Sequence, residues 1–182
     1  MSDSTTATLE KPVLNGVRIT RIFDAPRAQI WKTWNDPEEI KKWWGPKDYT
    51  SPECKVDFRV GGKYLYCMKA KDGEEFWSTG TYKEITALEK IVCTDSFSDE
   101  NGKIIHASQL GFPGNGWPME LHVTILFEDL EGKTKMTLIH LGFPSKRMEE
   151  MCAEGWNESF DKLEENLHQE NLVSQIVGNN DQ

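Results

Sequence analysis

Four cysteines and four histidines are the side chains in this 182-residue chain best suited to nucleophilic, acid–base or metal chemistry, so their spacing is the first question. Cys54, Cys67, Cys93 and Cys152 lie far apart, in no C-x-x-C or Cys/His ligand pattern, and each sits within or beside an apolar segment. Buried, reduced thiols are the expectation. His106, His122, His140 and His168 are equally scattered, so neither a metal site nor a cofactor is assigned. His140 stands apart because alternation along KTKMTLIHLGF puts it on one face with Met136 and Leu138. An imidazole there, with an ordinary pKa of about 6.5 that burial moves easily, suits a group that orients a polar part of a ligand or acts as a base. The plainer alternative is a hydrogen-bonded core histidine. His122 has the opposite parity to the apolar series Leu121, Val123, Ile125 and Phe127 and should face outward. Asp95 and Glu84 lie in strand segments without a partner acid at a recognisable spacing, and are expected as solvated or rim charge. Asp57-Phe58-Arg59-Val60-Gly61-Gly62 lacks the G-x-x-x-x-G-K-[ST] pattern and reads as a glycine-dependent turn or bulge.

These residues need elements to hold them, and the dominant one is a helix from Ser145 to Gln169. Met148, Cys152, Trp156, Phe160, Leu163 and Leu167 recur every three or four residues along it, opposite a face of acidic and polar groups. Pro144-Ser145 supplies the stop and the cap, and Glu149 and Glu150 favour the positive end of the helix dipole. Gly155 next to Trp156 suggests a close approach by another segment while the indole fills a concavity. Upstream, Val17 to Asp24 is a strand, and Pro26 fits the first position of a helix burying Ile30, Trp31 and Trp34. Asp36-Pro37-Glu38-Glu39 starts a second short helix with Ile40, Trp43 and Trp44 on one side, stopped by Gly45-Pro46. One of those paired indoles should be core and the other partly exposed. Six further strands follow, punctuated by Gly61-Gly62, Asp72-Gly73, Glu100-Asn101-Gly102-Lys103 and Glu131-Gly132. IIHASQLGFPGNGWP reads as a long connection or a frayed hairpin.

The length fits one globular domain with one core. We expect a disordered tail at 1–14, the folded domain at 15–170 and a polar tail at 171–182. A net charge of -9 opposes a general affinity for nucleic acid or anionic membrane. With no apolar run long enough to span a bilayer and a polar segment after Met1, no membrane insertion and no signal peptide are expected, and the location expected is cytoplasmic.

Arg21-Ile22-Phe23-Asp24-Ala25-Pro26, Ile30-Trp31, Asp36-Pro37-Glu38, Trp43-Trp44-Gly45-Pro46, Asp57 to Gly62 and Gly155-Trp156, in that order, resemble the activator of heat-shock-protein-90 ATPase homologue family of the START-like, or SRPBCC, superfamily. The resemblance covers about Val17 to Leu167. It implies an α+β helix-grip fold: a curved antiparallel sheet of seven strands wrapped around the long C-terminal helix, with two short helices after the first strand and a deep hydrophobic pocket. Stand-alone members of the family resemble ligand-binding or stress-resistance proteins.

The function expected is non-catalytic binding of a small hydrophobic or aromatic ligand between sheet and helix, in a stress-response setting, by a monomer or weak dimer. Met68, Trp77, Phe97, His140, Trp156 and Phe160 are the expected ligand-binding residues. Two alternatives stand beside it: a cyclase- or hydrolase-like enzyme working in the same pocket through His140 or a neighbouring acid, and a co-chaperone of a heat-shock ATPase engaging its partner through the acidic surface or the Trp43-Trp44 corner.

Overall fold

The structure, a computed structural model, describes residues 16–112 and 116–178, the last five of these by backbone alone. The expected tail at 1–14 lies outside the described residues.

Strand β1 (Gly16–Phe23) alternates as its sequence requires, with Val17, Ile19 and Phe23 turned inward. Helix α1 (Arg27–Lys32) follows, and Pro26 occupies its N-cap instead of its first helical position. The proline lacks a donor, but its carbonyl accepts from Gln29 N–H at 2.9 Å and Ile30 N–H at 3.2 Å, so it starts the helix from one residue outside it. Helix α2 (Pro37–Trp43) has the expected cap: the Asp36 carboxylate accepts from Glu38 N–H at 3.0 Å, with the proline at the first turn.

Strands β2 (Cys54–Val56), β3 (Lys63–Lys69), β4 (Glu75–Thr86), β5 (Lys90–Ser98), β6 (Leu121–Leu130) and β7 (Lys133–Leu141) complete one antiparallel sheet in the order β1-β7-β6-β5-β4-β3-β2. A bridge from Ser98 to Ile104 and a short 3-10 turn at Ala107–Leu110 organise the long connection before β6. His122 faces outward, and Met136, Leu138 and His140 face inward, as parity required. Gly61 takes a φ of +82°, and its N–H donates to Tyr82 O at 2.8 Å, the glycine-dependent turn expected there.

Helix α3 (Lys146–Gly178) crosses the concave face. It runs past Gln169 through the first eight residues of the segment 171–182, so the backbone there is helical up to Gly178 and not a separate tail. No proline or glycine falls between Trp156 and Val177 to stop it earlier. Its lower half packs solidly. Phe160 is 0% exposed and meets Phe23, Trp34, Trp43 and Trp156 at ring-centre distances of 6.5, 6.3, 6.0 and 5.4 Å. Leu163 and Leu167 continue the buried stripe. Two residues past Phe160, the half-buried Lys162 ammonium donates to the carbonyls of Gly45 at 2.9 Å and Tyr49 at 3.0 Å, with Trp44 O at 3.3 Å and Pro46 O at 3.4 Å completing the ring.

Phe160→Ala should lower unfolding stability by about 3–5 kcal/mol, because four aromatic neighbours cannot collapse into the space vacated. Chemical denaturation, with an unchanged slope against denaturant, is the measurement.

Candidate functional site

Toward the N-terminal end of α3 the helix and sheet part. Between them lies a cavity of about 210 Å³, bordered by α3, by the Trp44-Gly45-Pro46 segment, by β3, β4 and β5, by Leu121 of β6 and His140 of β7, and by the connection carrying Trp117 and Met119. Trp44, Met68, Phe76, Phe97, Trp117 and Trp156 supply most of its apolar wall. Five of the six residues expected from sequence border it: Met68, Trp77, Phe97, His140 and Trp156. Register puts Phe76 opposite Met68 and Ser78 opposite Phe97, so the face shared with these two belongs to Phe76 and Ser78, while Trp77 alternates with them. Phe160 does not border the cavity; it stacks on Trp156 at 5.4 Å and forms the floor beneath that ring. Gly155 is on the wall, but an added Cβ would meet only Pro46 Cγ at 3.5 Å, an ordinary contact. The close approach expected of this glycine is therefore not a steric necessity.

A chain of polar groups runs along the wall of the hollow from sheet to helix. Trp156 Nε1 donates to His140 Nδ1 at 3.2 Å, and the Cys152 thiol lies 3.6 Å from the same nitrogen. With its Nδ1 lone pair engaged, neutral His140 carries its proton on Nε2. That nitrogen is buried without a hydrogen-bond partner among the described residues and faces Asp95 Oδ2 at 3.5 Å, close enough for charge to act but without hydrogen-bond geometry. Asp95 Oδ1 accepts from the Tyr64 hydroxyl at 2.9 Å, which also reaches Thr94 O at 2.8 Å. Burial lowers the His140 pKa, with Asp95 opposing, and pushes the Cys152 thiol up to about 12. The histidine is neutral and the thiol protonated at neutral pH.

Gly80 makes this chain possible. A Cβ at that position would sit 1.9 Å from Thr94 O and 2.5 Å from the Tyr64 ring, so only glycine lets Tyr64 on β3 pass over β4 and reach β5.

Sequence reasoning passed over Asp95, expected as rim charge. The alternation of Cys93, Asp95 and Phe97 was the signal for its inward parity. Glu84, by contrast, is exposed and pairs with Lys90 at 2.9 Å. Cys54, Cys67 and Cys93 are buried free thiols, while Cys152 is only half-buried, on the cavity wall. No three His, Cys, Asp or Glu side chains converge to hold a metal ion among the described residues.

The model of the family described as activator of Hsp90 ATPase homolog 1-like protein matches residues 24–168. The chain belongs to this family. Its helix-grip fold is that of a solved protein of Nitrosomonas europaea, 25% identical over 90% of this chain and 99% of that one, with a TM-score of 0.70. A Chromobacterium violaceum protein is 28% identical over 82% and 94% of the two chains, TM-score 0.66. One from Arthrobacter aurescens is 27% identical over 88% and 90%, TM-score 0.69. No curated protein matches the chain by sequence. In common with these the chain has a curved sheet and a long terminal helix, and no described helix is long and apolar enough to cross a membrane.

In this family member the depressed His140 pKa has a definite sign. Above the ordinary value of about 6.5 both folded and unfolded chains hold the imidazole neutral, and no linkage arises. Below it the unfolded chain takes up a proton that buried His140 resists, so stability falls with pH, by at most about 1.4 kcal/mol per unit. Urea midpoints between pH 7.5 and 5.5 should therefore drop more in the native protein than in His140→Gln.

Proposed function

We propose that this protein binds a small, mainly apolar molecule in the hollow between β3–β5 and the first half of α3, and does so without chemical change. The observation that carries the reading is the aromatic-walled space beside Trp156, where a folded domain would ordinarily close to core density. An apolar cavity of about 150 Å³ admits benzene, so this space suits one aromatic ring with a short substituent. Catalysis has weaker support, since the cavity thiol is held protonated and the His140 Nδ1 lone pair is already taken by Trp156. Chaperone engagement through the tryptophan corner is also disfavoured: Trp43 is fully buried and Trp44 faces the cavity. A cytoplasmic role in stress response extends the same reading and rests on the family resemblance alone.

Titration with toluene tests it. Saturable shifts of the Trp44 and Trp156 indole N–H signals are expected. Gly155→Leu, which projects bulk beside Pro46 and raises helix propensity, should weaken binding about tenfold or more while stability is held or raised. The absence of any saturable shift in the native protein would sink the small-molecule reading.

A further inference from the structure

We infer that the ligand is a small aromatic amine, bound as its ammonium cation against Asp95. The inference rests on the binding reading above and names its substrate class. Among the described residues Asp95 is the one acidic side chain on the cavity wall, and no lysine or arginine of theirs lines the space. Its side chain is 24% exposed, and what it has around it is a tyrosine hydroxyl and a neutral imidazole, neither of which cancels a charge. A carboxylate facing an apolar hollow without a cation is an unfavourable arrangement that an ammonium group would relieve.

The rest of the wall suits the same guest. Trp44, Phe76, Phe97, Trp117 and Trp156 line it with aromatic rings, and a cation within about 6 Å of a ring face gains further attraction. The aryl part fills the apolar volume, which at about 210 Å³ exceeds the roughly 150 Å³ that takes one unsubstituted ring by enough for a short aminoalkyl arm. The Tyr64 hydroxyl donates to Asp95 Oδ1, so Oδ2, which lies 3.5 Å from His140 Nε2 without a hydrogen bond, is left free to accept from an ammonium group. The indole Nε1 of Trp44 and the Ser96 hydroxyl, both on residues of the wall, are further buried donors without a partner among the described residues. A carboxylate ligand would gain those donors but would stand beside Asp95 with no cation to offset the repulsion. The net charge of -9 acts in the same direction over longer range.

Three probes of one shape separate the possibilities at pH 7: 2-phenylethylamine, 2-phenylethanol and phenylacetate, titrated calorimetrically into the full chain. The amine is expected to bind about tenfold or more tighter than the alcohol, with the acid weakest. Asp95→Asn should erase the amine's advantage over the alcohol. The comparison among probes on the native protein stands even if that variant misfolds. Equal affinity for amine and alcohol, tightest binding of the acid, or an amine affinity untouched in folded Asp95→Asn would each overturn the inference while leaving a small-molecule site. Failure of all three probes together with toluene would remove the underlying reading, and this one with it.

Discussion

A straight helix cannot follow a curved sheet along its whole length, and everything of interest in this protein depends on where the two part. Phe160 marks that place. Below it the stripe of Leu163 and Leu167 is packed solid, and at Phe160 four aromatic rings converge from β1, the α1–α2 corner and α3 itself. Above it Trp156 and Cys152 are only partly buried, and the interior opens. Dense packing on one side is what permits a void on the other, because a domain can carry such a space only when the remainder of its core supplies the stability.

The polar chain beside the void has a related logic. Tyr64, Asp95, His140 and Trp156 sit on β3, β5, β7 and α3, brought together by the sheet order and by the return of α3 across the concave face. Each member limits the next: the indole fixes the imidazole tautomer, and the tautomer fixes which atom meets the carboxylate. Gly80 is the silent member, contributing nothing but the space through which the Tyr64 ring passes.

Much of this was legible in the residues. Period-two alternation in β6 and β7 gave the inward face with His140 on it, and the amphipathic stripe gave α3 down to the position of Trp156. The Asp36 cap and the glycine turns are local chemistry, written in short motifs that tertiary packing has no reason to override. What escaped was long-range. Asp95 looked like a rim charge because nothing near it in sequence mentions Tyr64 or His140, and the shares of Trp77 and Phe97 in the wall depended on a register that only the paired strands define. Phe160 had the right period for the wall, yet its depth along α3 makes it floor. The helix end was misplaced for a simpler reason: polar composition past Gln169 suggests a tail, while extending a helix already nucleated upstream needs only residues without a proline or glycine to break it.

Lys162 adds a mechanical consequence. Its ammonium sits in a ring of four main-chain oxygens from Trp44 to Tyr49, much as a metal cation sits in a crown ether. The same short segment supplies Trp44, Gly45 and Pro46 to the cavity border. One flank of the hollow is thereby tethered to a particular turn of α3, and a tilt or slide of that helix would carry the flank along with it, so that the two surfaces bordering the hollow are mechanically coupled.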